Sequence, residues 1–160
     1  MSSPRNHQDL IDTLLALSED NVRRGLGGPF AALVVKDGVI IGQGCNRVTD
    51  QHDPTAHAEI EAIRAACRHL DSHQLHGCHI YSSCEPCPMC LGAIYWARPE
   101  RLFYFNSQAD AARIGFDDQF IYQELSRPVT QRQLPTEQLD HPRRLVAFEL
   151  WQTSNDREDY

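Results

Sequence analysis

The chain has 160 residues, 41% hydrophobic and 23% charged, a length and balance that suit one globular domain with its own core. With 15 basic and 22 acidic residues its formal net charge is −7, which argues against a surface that neutralises many phosphates and favours a small, uncharged ligand. No apolar run approaches the roughly eighteen residues of a membrane helix, and no basic-then-apolar leader opens the chain, so a cytoplasmic location is expected.

In chain order, residues 6–24 carry Leu10, Ile11, Leu14, Leu15, Leu17 and Val22, a helical stripe that Gly25 is placed to stop. Gly27-Gly28-Pro29 breaks the chain before the apolar run of residues 30–35. That run and residues 39–45 flank Lys36-Asp37-Gly38, a hairpin signal. Asp53-Pro54-Thr55 reads as a helix start, followed by Ile60, Ile63, Cys67 and Leu70 at helical spacing, with His57 and Glu59 in the first turn. A strand is predicted over 78–83, a helix from Pro88 to Ala97 and a strand over 101–105. Short helices follow over 108–113 and 118–125, around the loop beginning at Gly115. The tail from Pro142 to Trp151 has helical character, although Leu145–Leu150 also reads as a strand. Strands alternating with helices indicate a layered α/β domain, and no linker or repeat divides residues 1–160.

Six cysteines suggest a disulfide scaffold only in a small secreted chain. Here three fall in Cys84-Glu85-Pro86-Cys87-Pro88-Met89-Cys90, a metal or redox spacing, while Cys45, Cys67 and Cys78 sit in predicted strands or a helix and read as buried fillers. His57-Ala58-Glu59 lies upstream of Pro86-Cys87-Pro88-Met89-Cys90. His57, Cys87 and Cys90 make three soft zinc ligands, one short of a closed tetrahedral shell, which leaves a position for water. Cys87 and Cys90 are three apart at a predicted helix start, so both sulfurs share a side and the helix N-terminus favours thiolates. Cys84 and Cys87 form a second, overlapping C-x-x-C pair. The later pair is favoured because it is helical and because Pro86-Cys87 fits the H-x-E with P-C-x-x-C pattern of zinc-dependent nucleobase deaminases. Glu59, two residues from His57 and not itself a ligand, is placed to move protons during hydrolytic deamination. A structural four-ligand zinc, with Cys84 as fourth ligand, would leave Glu59 without a role.

Asp53–Glu59, Ser83–Arg98, Gly115–Tyr122, Gly27–Phe30 and the terminal Tyr160 together resemble bacterial guanine deaminases of the cytidine deaminase superfamily. The resemblance implies a three-layer α/β/α fold with a mixed central sheet of about five strands and one zinc per subunit on His57, Cys87 and Cys90. It also implies guanine as substrate, Glu59 as the principal proton shuttle and Asp118 as a second, with Asp117 competing for that role. Asn46 would hydrogen-bond the purine, Phe30 would stack on it, and Ala58 and Tyr160 would complete the substrate site. A C-terminal segment, about residues 142–160, would be exchanged between the subunits of a homodimer, so that Tyr160 acts in the neighbouring site. Residues 130–157 resemble the family only loosely. The competing substrates are the adenosine of a tRNA and a smaller aminopyrimidine or aminotriazine such as cytosine or ammeline; a zinc module without catalysis is the bland alternative.

Overall fold

The computed structural model describes residues 6–116 and 118–160. The order of elements is α1 (His7–Arg23), β1 (Ala31–Lys36), β2 (Val39–Cys45), α2 (Val48–Gln51), α3 (Ala58–Leu70), β3 (Cys78–Cys84), α4 (Pro88–Ala97), β4 (Arg101–Asn106), α5 (Gln108–Arg113), α6 (Gln119–Ser126) and α7 (Val146–Thr153), with a 3₁₀ turn at Val129–Gln131. The chain divides into two compact units, Met1–Gln119 and Phe120–Tyr160. Among the described residues no helix is long and apolar enough to cross a membrane.

The first unit is built on a sheet in the order β2-β1-β3-β4. β1 pairs antiparallel with both β2 and β3, whereas β3 and β4 run parallel, with α4 as the connection between them. The hairpin predicted at Lys36-Asp37-Gly38 is present: Asp37 has φ 50° and Gly38 φ 75°, the left-handed pair a two-residue turn needs. The alternation of side chains along β1 sorts the core into two layers. Ala31, Leu33 and Val35 face Leu10 and Leu14 of α1, together with Tyr81 of β3. Ala32 and Val34 face Ala58, Ala62 and Ala66 of α3 and Ile94 and Ala97 of α4. Helices thus cover both faces of a mixed sheet, the three layers expected.

The expected sheet of about five strands is corrected to four among the described residues. The segment Leu145–Leu150, which read as either strand or helix, is helical: Leu145 caps α7 and the other five residues lie in it. A helix satisfies its own amide groups locally, whereas a strand there requires a neighbour to pair with. A second correction concerns Asp53-Pro54-Thr55. The Asp53 carboxylate accepts from the Thr55 N–H at 2.8 Å and from its hydroxyl at 2.7 Å, closing a turn rather than opening a helix. The helix itself begins at Ala58, which makes His57 its cap and leaves Glu59 in the first turn.

One packing relation fixes where α3 lies. A Cβ added to Gly44 would sit 2.3 Å from the carbonyl oxygen of Ala58, and one added to Gly42 would sit 2.5 Å from that of Ala62. Glycine on β2 and alanine on α3 therefore let helix backbone rest almost directly on strand backbone. Gly44→Ala is expected to destabilise the fold by about 1–3 kcal/mol, the usual range for overpacking. Thermal unfolding should show a Tm lower by several degrees, roughly 2–4 °C per kcal/mol for a chain of this size; an unchanged Tm would mean that the helix is free to move away.

Candidate active site

Two helix N-termini meet at this site. His57 caps α3 with extended backbone, φ −74° and ψ 156°, and its side chain makes no capping bond. Its ring turns instead toward α4, where Nδ1 lies 3.5 Å from Cys87 Sγ. Cys87 caps α4 with φ −65° and ψ 167°, and Pro88 fills the first helical position, where a missing N–H is harmless. The Cys87 sulfur accepts the Cys90 N–H at 3.5 Å, which brings both sulfurs to one end of the helix.

The ligand atoms of His57, Cys87 and Cys90 all lie within 4.8 Å of one another, the one such group of three or more metal-ligating side chains among the described residues. Zinc bonds of about 2.3 Å to sulfur and about 2.0 Å to nitrogen put tetrahedral donors roughly 3.5–3.8 Å apart, close to the 3.5 Å between Cys87 and His57. Hydrogen bonds from the Cys90 thiol, His57 and the Cys90 N–H hold Cys87 as a thiolate, lowering its pKa to about 4. Donation to Cys87, and then burial, push the Cys90 thiol well up. The bond to Cys87 likewise raises His57. Three converging soft donors, one already anionic, fit zinc.

Cys84 belongs elsewhere. Its sulfur points at the carbonyl oxygen of Ser107, 3.7 Å away, and burial with the negative charges of Glu59 and Asp118 raises its pKa to about 11. Cys84 lies outside the converging group of His57, Cys87 and Cys90, which separates the two overlapping C-x-x-C pairs. All six cysteines are free, and Cys45, Cys67 and Cys78 lie in β2, α3 and β3 as fillers.

Glu59 is only 6% exposed. Burial raises its pKa, opposed by hydrogen bonds that favour the anion, among them one from Ser82 Oγ at 2.9 Å. The carboxyl is therefore buried beside the ligand group and oriented from β3. Asp118 is half-buried, and its charge raises the pKa of both His57 and Cys84, so its carboxylate is near enough to act on this centre electrostatically. Asp117, the alternative to it, lies outside the described residues.

Asn46 follows β2 and is 7% exposed. Its Oδ1 accepts from the N–H groups of Gly28 and Val48, each at 3.3 Å. Those bonds fix the amide plane, and the Nδ2 donors have no hydrogen-bond partner among the described residues. Phe30 is partly buried against the helical layer, and its ring meets Phe116 edge-on, with centroids 4.9 Å apart and planes at 86°. Ala58 is fully buried at the first position of α3, where its N–H has no intrahelical acceptor. Tyr160 ends the second unit and is exposed.

Three residues escaped the sequence reading. Ser82 holds Glu59, and Ser83 Oγ accepts the Ala31 N–H at 3.0 Å. Both are polar residues in an otherwise buried strand, a signal that was present but not specific. The third, Asn21, continues the apolar stripe of α1 after Leu10, Leu14 and Leu17 at a spacing of four, three and four, yet is polar and buried.

Comparison with known proteins agrees with this geometry. The family described as the cytidine and deoxycytidylate deaminase zinc-binding region matches residues 4–106. The guanine deaminase of Bacillus subtilis is 48% identical over 155 residues, covering 97% of this chain and 99% of the relative. Its X-ray structure superposes with a TM-score of 0.95, covering 98% and 99% of the two chains. A guanine deaminase structure from Nitrosomonas europaea is 35% identical with a TM-score of 0.68, covering 73% of this chain and 69% of the other. The tRNA-specific adenosine deaminase of Aquifex aeolicus is 45% identical, over only 48% of this chain and 50% of that protein. With a zinc-fitting His-Cys-Cys group and this match across most of its length, the chain belongs to the cytidine and deoxycytidylate deaminase zinc-binding family.

Proposed function

We propose that this protein hydrolyses guanine to xanthine and ammonia. The observation that carries the reading is a buried, pKa-raised Glu59 beside a metal-fitting group of only three ligands, in a chain alike over nearly its whole length to a guanine deaminase. Zinc held by His57, Cys87 and Cys90 would supply the acidity that makes water a nucleophile at neutral pH.

The chain's own residues do the rest. Glu59 takes a proton from the attacking water and delivers it to a ring nitrogen while oxygen adds to ring carbon two. Its raised pKa suits a group that must both accept and return protons near neutrality. Collapse of the tetrahedral carbon breaks the bond to the exocyclic amine, and Asp118 assists its departure as ammonia. Asn46, its Oδ1 already held by backbone, offers its Nδ2 donors to the purine, and Phe30 presents an aromatic face braced by Phe116. Ala58 borders the base with helix backbone. The enzyme works as a cytoplasmic homodimer of single deaminase domains. The segment of about residues 142–160 is exchanged between subunits, so that Tyr160 closes the neighbouring pocket.

Two features favour guanine over a tRNA adenosine. The net charge of −7 suits a neutral base, and the likeness to the tRNA enzyme spans about half the chain, whereas that to the guanine enzyme spans nearly all of it. Ammonia release from guanine, adenine, cytosine, guanosine and ammeline is the direct test. Guanine should give the highest kcat/KM, and turnover of cytosine without guanine would overturn the assignment. The exchange has its own test by subunit mixing. Glu59→Gln chains with intact tails and chains lacking Tyr160, each impaired alone, should regain turnover when mixed under conditions that reassort dimers. No recovery would place Tyr160 in its own subunit's site or outside catalysis.

A further inference from the structure

The side chain of Asn21 is joined to the two positions proposed to face the purine. Its Nδ2 donates to the carbonyl oxygen of Gly28 at 2.9 Å and to that of Asn46 at 3.1 Å. The same Gly28 oxygen accepts the Phe30 N–H at 2.8 Å, and the Phe30 oxygen accepts the Asn46 N–H at 3.1 Å. The Gly28 N–H in turn donates to Asn46 Oδ1 at 3.3 Å. One carboxamide on the last turns of α1 therefore closes a ring of hydrogen bonds through Gly28, Phe30 and Asn46. Gly27 packs under the ring so closely that a Cβ there would lie 2.2 Å from the Asn46 carbonyl oxygen, leaving the backbone no slack in that direction.

Space filling does not account for an asparagine here. The residue is 2% exposed and occupies a position on the α1 stripe where leucine is the ordinary choice. Its Oδ1 is buried without a hydrogen-bond partner among the described residues, an unfavourable arrangement that a leucine would avoid. What leucine lacks is the pair of donors. Both go to carbonyls of the loops that carry Phe30 and Asn46.

We infer that Asn21 is a positioning residue for substrate binding: its amide clamps the Gly28 and Asn46 carbonyls and so orients the Asn46 carboxamide and the Phe30 ring toward the purine. The inference rests on the reading of Asn46 as a purine-binding amide. Its donors go to loop carbonyls and not to His57, Glu59, Cys87 or Cys90, so its loss acts on binding rather than on proton transfer.

The test is a double-mutant cycle on the zinc-loaded enzyme with guanine. Asn21→Leu should raise KM about tenfold, the worth of one well-oriented hydrogen bond, while kcat and zinc content hold. Asn46→Ala should raise KM by itself, and adding Asn21→Leu to it should raise KM little further, because the group being oriented is gone. Asn21→Ser, smaller and with one donor, carries the same test with a smaller rise should the leucine variant fail to fold. Multiplicative effects on KM, or a fall in kcat and zinc content at unchanged KM, would make Asn21 a purely structural residue and overturn the inference. An Asn46→Ala variant with wild-type KM would remove the purine-binding reading and the inference with it. A raised KM in Asn46→Ala beside a normal one in Asn21→Leu would remove the inference alone.

Discussion

The site depends on two helices beginning at the same place. A metal-fitting group of three needs donors from separate segments within a few ångströms, and His57 and Cys87 meet that need by capping α3 and α4. Capping puts each side chain just ahead of the first helical turn, where backbone N–H groups favour negative charge. The Cys87 thiolate benefits directly through the Cys90 N–H. What brings the two caps together is close packing one layer below. α3 lies flat on β2 because Gly42 and Gly44 face Ala58, Ala62 and Ala66, and α4 follows β3 into the same layer.

Electrostatics then divides similar groups between different roles. Three cysteines within seven residues differ in state because their partners differ. Hydrogen bonds received by Cys87 lower its pKa, the one that Cys90 gives raises its own, and burial near the carboxylates of Glu59, Asp118 and Glu85 raises that of Cys84. Glu59 is pulled both ways, by burial toward the neutral acid and by Ser82 toward the anion. A carboxyl poised in this manner suits a group that must take up and give back a proton in each turnover.

Most of the frame was legible in the sequence, because its signals are local. The Asp-Gly turn, the apolar stripe of α1 and the Pro-Cys start of α4 each state a conformation within a few residues, and the structure has all three. The ligand group was legible because its spacing is rare. Where reading failed, the deciding interaction was either a choice between two local turn geometries or a partner far along the chain. The Asp53 turn is told from a helix cap only by what its carboxylate accepts, and the Leu145–Leu150 run is strand or helix according to whether a pairing edge is within reach. Asn21 and Ser82 are ordinary polar residues until partners 25 and 23 positions away are known.

In the proposed reaction Glu59 moves protons at a three-ligand zinc and does not help to hold the metal. Glu59→Gln keeps the shape of the side chain and its acceptor for Ser82 while removing the exchangeable proton. Metal analysis and turnover measured on one preparation should show one zinc per chain with guanine deamination reduced at least about a hundredfold, the usual worth of a general acid–base. Zinc lost along with activity would make Glu59 part of the metal's support, and zinc retained with near-normal turnover would remove it from the chemistry.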